Sequence, residues 1–548
     1  MTPRRADWAL SLAVIGLNVL LFAPLWLLPG RYALTGTDLQ DFFSPIYQFI
    51  NREVRGGTLP LWNPYQFLGG STVGNAQYAL FYPPNWLLWL APPAELDRVL
   101  RGLVAGHAAW AGLGASWMAR RSAPKPRAAL LAGLVFSWSS FLAARVEIGH
   151  YTLILALAWA PWVLHGYQTA LAQRRLFGCI PGALALAMQV SAGHPQTVYI
   201  TGLGLGVLTL AALIRQHSWV VLRQATVMGG LALWLSAVSW VPMLDYHAET
   251  VRATQGRSLT FADEFALSPQ ELITGLALPN YAGTAAEYPG FYEEVTVYWG
   301  LLPLLGLLLA RRMRFPGRWL ALGLIVLGLW LSLGSAAGLY RLTYTLIPIS
   351  QGFRAPGRHL LLTGLGLAIL LGATFTHMAR LPLADQRRLL RPLWRWQLPG
   401  IAVWMGGLAL LWEGRAAQQA TEAAIVLAGL AMLALTWARI GWRWAWVVAL
   451  LLLMADTWRI SAPLLHLEEA QPSAAWSAAA QVIPTDAPGR VRQMPPPPGT
   501  PNGGSLVSLR GLEGYDPWHQ RTGPPSTPLP CKKATPAARC IRCLACAT

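Results

Sequence analysis

Charge is scarce in this sequence: Asp, Glu, Lys and Arg make up 12% of 548 residues, while hydrophobic residues make up 54% and Trp alone occurs 27 times. Soluble domains carry about a quarter of their residues charged, so the shortage excludes an ordinary soluble fold. Negative charge is scarcer still, with 24 carboxylates against 42 Lys and Arg. Nucleotide signatures are missing as well: there is no Walker loop, no dinucleotide fingerprint and no H-E-x-x-H. Gly-rich stretches such as Gly202-Leu203-Gly204-Leu205-Gly206 read better as helix packing, and no nucleotide cofactor is expected. No repeat of fixed period recurs along the chain.

What the chain has instead is apolar runs long enough, at about 1.5 Å per residue, to cross a hydrocarbon core of about 30 Å. They lie near 8–28, 98–119, 128–143, 151–171, 176–192, 196–214, 225–243, 295–310, 318–334, 358–378, 398–412, 421–437 and 443–458. The expected fold is therefore an all-α membrane protein, a polytopic bundle of about 13 transmembrane helices. The first run is about 20 residues long, beyond the h-region of a signal peptide, and lacks a small-residue cleavage site, so it is expected to remain as an anchor.

The distribution of charge orients the bundle. With the amino terminus inside, the inner loops hold Arg4 and Arg5; Arg120, Arg121, Lys125 and Arg127; Arg174 and Arg175; Arg215 and Arg223; Arg311, Arg312, Arg314 and Arg318; Arg380, Arg387, Arg388, Arg391 and Arg395; and Arg439 and Arg443. Every inner loop then obeys the positive-inside rule. Only Asp7 and Asp385 are acidic on that side, whereas Asp38, Asp41, Glu53, Glu95, Asp97, Glu147, Asp245, Glu249, Asp263, Glu264, Glu271, Glu287, Glu293, Glu294, Glu413 and Glu422 collect on the other. Any acid chemistry is expected outside, with the amino terminus in, the carboxy terminus out, and the bacterial cytoplasmic (inner) membrane as location. The net charge of +18 is topological on this reading: half of the basic residues face anionic headgroups in short inner loops, so membrane lipids and no nucleic acid are the expected partners.

Residues 1–460 form the expected transmembrane unit, with outer loops at 29–97 and 244–294, and 461–548 an outer tail or a truncated small domain. Within the first loop, Phe43, Ile46 or Tyr47, Ile50 and Val54 recur at helical spacing and predict an amphipathic helix on the membrane surface. The stretch Phe81-Tyr82-Pro83-Pro84-Asn85-Trp86 opens an apolar run through Leu90 that is too short to cross and predicts a re-entrant or interfacial segment. The tail is rich in Pro, Gly, Ser and Thr. Four of the five cysteines, Cys531, Cys540, Cys543 and Cys546, stand near its end at a spacing compatible with a zinc or iron–sulfur site and equally with an unstructured tail.

Three groups of residues are candidates for chemistry. Asp38 and Asp41, in Thr37-Asp38-Leu39-Gln40-Asp41-Phe42, share one face if that stretch is helical. A carboxylate beside lipid becomes a stronger base; the competing reading is a helix N-cap, for which Thr37 and Asp38 are both suited. Arg354 and Arg358, in Gly352-Phe353-Arg354-Ala355-Pro356-Gly357-Arg358-His359, stand at the outer end of a span against the inward bias of positive charge. Two guanidiniums there suit a lipid phosphate, or snorkel to headgroups. Glu147, His150 and His194, at the outer ends of the third to fifth spans, are candidates for a substrate cleft or for helix-end hydrogen bonds, while His107 in the second span reads as helix packing. No metal ligand set stands out, and two carboxylates do not by themselves establish a divalent cation between Asp38, Asp41 and a phosphate.

Gly57-Thr58-Leu59-Pro60-Leu61-Trp62-Asn63-Pro64, Phe81-Tyr82-Pro83-Pro84, the Gly-His pairs at 149–150 and 193–194, Phe353-Arg354-Ala355-Pro356-Gly357-Arg358 and Gly514-Tyr515-Asp516-Pro517 together resemble the YfhO family of bacterial membrane proteins over most of the chain. That family is similar to the GT-C class of glycosyltransferases. The resemblance implies a multi-span bundle, a first outer loop carrying an acidic catalytic residue, a polyprenyl-phosphate sugar donor and a cell-envelope glycan or lipid acceptor. It implies Asp38 as the catalytic residue, with Asp41 second. A transporter or lipid flippase, which would want ionisable groups at mid-membrane and an inverted repeat, and a noncatalytic envelope-assembly scaffold are the alternatives.

Overall fold

The computed structural model describes residues 3–461, apart from 30–31, 35, 66–68, 249, 251–252, 254–257, 270, 273–274, 276–291 and 412–413, together with 467–469. The GYDP motif and the four clustered cysteines lie outside the described residues.

The chain is a helical bundle whose centre is set by composition. Leu360–Met378 and Tyr151–Gln173 are apolar around their whole circumference, and a helix without a polar face belongs inside a bundle. Nearly every residue of Leu360–Met378 is buried. Around these two pack Leu96–Arg120, Pro126–Ser137 and Arg318–Ser332. More peripheral helices such as Val220–Leu235 and Leu398–Leu411 leave large apolar side chains exposed, among them Leu233, Trp234, Ile401 and Val403, as a lipid-facing surface requires.

Each of the thirteen apolar runs contains helix among its described residues. Three helices, Pro126–Ile148, Pro195–Gln216 and Pro356–Met378, are each long and apolar enough to cross a membrane. Several runs depart from a single unbroken helix: that at 8–28 is interrupted at Phe22, that at 128–143 at Trp138 and Ser139, and two others depart further. The run at 225–243 breaks at Ser236 into Val220–Leu235 and Ala237–Ala248, bent by 79°. The run at 295–310 is α-helical only over Leu302–Ala310: Gly300 takes φ +84, and the Asp456 carboxylate, rather than a preceding helical turn, accepts the Leu301 amide at 3.1 Å.

The amphipathic stretch of the first loop forms the helix Ser44–Arg55, but it packs on protein. Ile46, Tyr47, Phe49, Ile50 and Asn51 are all buried. Tyr47 meets Trp89 and Tyr151 edge-on, and the Asn51 amide donates to the carbonyls of Leu88, Trp89 and Ala91 at 2.7–3.2 Å. The buried face is wider than the stripe that spacing suggested, because the short helix Trp86–Leu90 folds back over it. His107 packs between helices as expected, its Nε2 2.7 Å from the Tyr82 hydroxyl. Among the described residues, sheet is confined to two short antiparallel pairs, Tyr32–Leu34 with Leu467–Glu469 and Trp62–Asn63 with Gly70–Ser71.

Candidate functional site

Asp38 stands where the first loop enters helix. Thr37 and Asp38 are followed by a π-helical turn, Leu39–Phe43, an irregularity that recurs at functional sites. Leu39, Phe42 and Phe43 are buried and anchor the turn, Phe43 against Tyr47 and Tyr151. The turn lies against Gly149, whose φ is +84 and where a Cβ would fall 2.5 Å from that of Leu39. This close approach brings His150 to the loop, its Nε2 3.4 Å from Asp38 Oδ2.

Five of the seven candidate residues meet in one cleft of about 90 Å³: Asp38, His150, His194, Arg354 and Arg358 all line it. Asp41 and Glu147 are not among its lining residues. A π turn advances less per residue than an α turn, so a separation of three no longer aligns Asp41 with Asp38. Glu147 is half-buried near the end of the helix Ser140–Ile148.

Glu293 and Glu294 close the cleft from the end of the second loop. The Glu294 carboxylate accepts from Arg358 Nε at 2.8 and 3.0 Å, and also from Arg358 Nη2. Arg145, fully buried over the Phe141 ring, reaches the second Glu294 oxygen at 3.4 Å and donates to the Glu293 carbonyl. Arg358 continues to Gln196 Oε1 at 2.9 Å. Glycine at 357 lets this turn approach the Glu294 backbone, since a Cβ there would sit 2.2 Å from the Glu294 carbonyl oxygen. Arg354 lies further out, 3.1 Å from Glu264 and over the Phe265 ring.

His194 serves partly as a helix-end group. The Thr197 amide donates to its Nδ1 at 3.2 Å, at the start of Pro195–Gln216, and its Nε2 lies 3.4 Å from Arg358 Nη1.

Burial sets the protonation states. It pushes the Asp38 carboxyl up to about 6 against the opposing pull of Arg358, and it pushes His150 down to about 3, so that the imidazole is neutral. Glu293 is raised to about 7 by burial, with Glu294 adding to the effect. Burial acts on Glu294 in the same sense, but Arg358 and then the other cations outweigh it and hold that carboxyl well below the usual range. Burial also raises Asp41. At neutral pH the cleft thus holds an ionised Asp38 that binds a proton more readily than a free aspartate, beside a neutral imidazole and a clamped ion pair.

His150, Glu293 and Glu294 each offer one ligand atom, all within 4.8 Å of one another. Glu293 Oε1 is buried without a hydrogen-bond partner among the described residues, and oxygen and imidazole donors suit a hard or borderline divalent cation. Among the described residues these three form a group placed to hold one, and Asp41 is not part of it. Glu294 has both oxygens occupied by guanidinium groups, so its share in such a site would compete with Arg358.

Beside the polar cleft is an apolar cavity of about 470 Å³. Val198, Tyr199 and Leu203 form one wall, Leu233, Trp240, Met243 and Leu244 of the bent helix pair another, and Ile347 and Ile349 a third. Pro195 lines both spaces.

Glu293, Glu294, Arg145 and Gln196 were not singled out from the sequence. The signals present were the adjacent carboxylates near the end of the second loop, and for Arg145 the anomaly that marked Arg354 and Arg358, a cation on the side expected to face outward.

No protein family and no curated protein matches the sequence. Among solved structures, the chain is similar to ArnT from Cupriavidus metallidurans bound to undecaprenyl phosphate, at 13% identity and a TM-score of 0.48 over 91% of this chain and 84% of that one. It is also similar to the Archaeoglobus fulgidus oligosaccharyltransferase tethered to an acceptor peptide, at 14% identity and a TM-score of 0.45 over 94% of this chain and 61% of that one, and to archaeal oligosaccharyltransferase AglB from the same organism in complex with an inhibitory peptide and a dolichol-phosphate, at 13% identity and a TM-score of 0.42.

Proposed function

We propose that the protein is an integral membrane glycosyltransferase that moves a sugar from a polyprenyl-phosphate donor to a cell-envelope glycan or lipid on the outer face of the cytoplasmic membrane. The observation that carries this reading is the juxtaposition of a small cleft containing a partly buried base and cations with an apolar cavity about five times its volume, the two sharing Pro195. A phosphate with its sugar suits the first space and an isoprenoid chain the second. The motif resemblance to the YfhO family points the same way.

In this mechanism Asp38 takes the proton of the acceptor hydroxyl. The acceptor oxygen bonds to the anomeric carbon as the bond from that carbon to the phosphate oxygen breaks, and polyprenyl phosphate leaves. His150, neutral and 3.4 Å from Asp38, positions the base. Arg358, with Arg354 nearer the cleft mouth, stabilises charge developing on the leaving phosphate. Because Glu294 already partners Arg358, that guanidinium is held in place before the substrate arrives, and it lines the cleft. A divalent cation held by His150 and Glu293 would add positive charge at the same phosphate.

The test is transfer by purified protein in liposomes, with radiolabelled polyprenyl-phosphate sugar and candidate acceptors. Loss of transfer in Asp38→Asn supports the enzyme. Labelled lipid crossing the bilayer without transfer points to a flippase, and neither event in the presence of a competent acceptor points to a scaffold.

A further inference from the structure

We propose that Gln196 is a positioning residue: a latch that holds the Arg354–Arg358 turn in a backbone conformation the turn would not keep alone, so that Arg358 meets an anionic headgroup already aligned. The inference rests on the reading of Arg358 as a phosphate-binding group.

The turn contains an irregularity. Ala355 is fully buried and has φ +59 and ψ 73, the left-handed region that an alanine, with its Cβ, rarely occupies. Non-glycine residues in that region persist only where their surroundings over-determine them, and such sites cluster where geometry matters for function. Gln196, 5% exposed at the start of Pro195–Gln216, supplies much of that determination. Its amide nitrogen donates to the Arg354 carbonyl at 2.5 Å and lies 3.5 Å from the Ala355 carbonyl, so it grips the backbone on both sides of the Ala355 α-carbon. Its amide oxygen accepts from Arg358 Nη1 at 2.9 Å. One side chain therefore holds both the strained backbone and the guanidinium that the backbone presents. The Ala355 amide donates to the Glu264 carbonyl at 3.0 Å, the second restraint on the same residue.

A latch that offsets strain has a signature that an ordinary packing residue lacks. Removing it should be rescued by removing the strain, because glycine occupies left-handed backbone without the Cβ penalty. The measurement is binding of farnesyl phosphate to the full-length protein in nanodiscs, for wild type, Gln196→Ala and Gln196→Ala with Ala355→Gly. Affinity is expected to fall about tenfold in the single variant, equivalent to ~1.4 kcal/mol, and to recover by more than half of that loss, on a logarithmic scale, in the double variant. Recovery stays incomplete because the contact to Arg358 is not restored. Hydrogen exchange at the Ala355 amide should accelerate in the single variant and slow again in the double. If Gln196→Ala does not purify folded, Gln196→Met, which keeps the volume without the hydrogen bonds, carries the same comparison. Unchanged affinity in the single variant, or a double variant no better than the single, overturns the latch alone. A wild type that does not bind farnesyl phosphate overturns the reading of the site, and the latch with it.

Discussion

Replacing Glu294 by Gln keeps the shape of the side chain and removes the negative charge between two buried cations. Arg145 is 0% exposed and Arg358 16% exposed at its side chain, so neither recovers full hydration when its partner is neutralised. Breaking a buried pair by removing one partner costs about 3–5 kcal/mol. The forked contact from Arg358, at 2.8 and 3.0 Å, and the 3.4 Å contact from Arg145 both lose their charge-assisted character, while the Gln carbonyl still accepts one hydrogen bond. The lower half of that range is therefore expected. The same change frees positive charge for an incoming anion, so a phosphate-headed ligand should bind Glu294→Gln more tightly than wild type. A ligand at a hundred times its dissociation constant stabilises the folded state by ~2.7 kcal/mol, enough to recover most of the loss. The assay is unfolding in detergent micelles with and without farnesyl phosphate. A variant as stable as wild type without ligand, or one that gains less from the ligand than wild type does, refutes the argument. Pairing Glu294→Gln with Arg145→Met removes one orphaned guanidinium and should return part of the stability, since well-packed apolar groups replace buried ions at little net cost.

Other consequences follow from single residues. Asp38 has its carboxyl raised to about 6 and acts in the ionised form, so kcat/KM for transfer should rise tenfold per pH unit below pH ~6 and level off above it; a rate that is flat from pH 5 to 8 contradicts the base assignment. Gly202 lines the apolar cavity, and a Cβ there meets no atom within 4 Å, so Gly202→Phe should fold and fill the space. It is expected to weaken use of a long-chain donor at least about tenfold while sparing a donor truncated to one or two isoprene units, as donor competition kinetics would show. Gly357→Ala places a Cβ against the Glu294 carbonyl and should destabilise by about 1–3 kcal/mol, read as a lower midpoint of thermal unfolding together with lost transfer.

Much of the bundle could be read from the chain because a membrane imposes a simple demand. Backbone groups must be satisfied internally, so long apolar runs become helices, as those at 151–171 and 358–378 do. The departures lie where tertiary contacts compete with that demand: the segment before Leu302 gives up helix for the Asp456 carboxylate, and Ser236 interrupts another run. At the site, anomalies of charge and position picked out Asp38, His150, His194, Arg354 and Arg358, which come from separate stretches of chain and meet in one cleft. Asp41 was grouped with Asp38 on α-helical spacing, and the π turn undoes that spacing. Glu294 could not be told from the other outer-side acids, because what distinguishes it is being clamped by Arg145 and Arg358, a property of three-dimensional packing alone. Gln196 carries no charge and breaks no pattern, so nothing in the sequence marks it.

The most direct test of the account is to map where the lipid sits. A polyprenyl phosphate carrying a diazirine on its first isoprene unit, photolysed with the protein in nanodiscs and analysed by mass spectrometry, should label the walls of the apolar cavity, at Val198–Leu203 and Trp240–Leu244. Arg358→Met should suppress that labelling. Label distributed over the lipid-facing helices, unaffected by the substitution, would contradict the placement of a lipid phosphate beside Asp38.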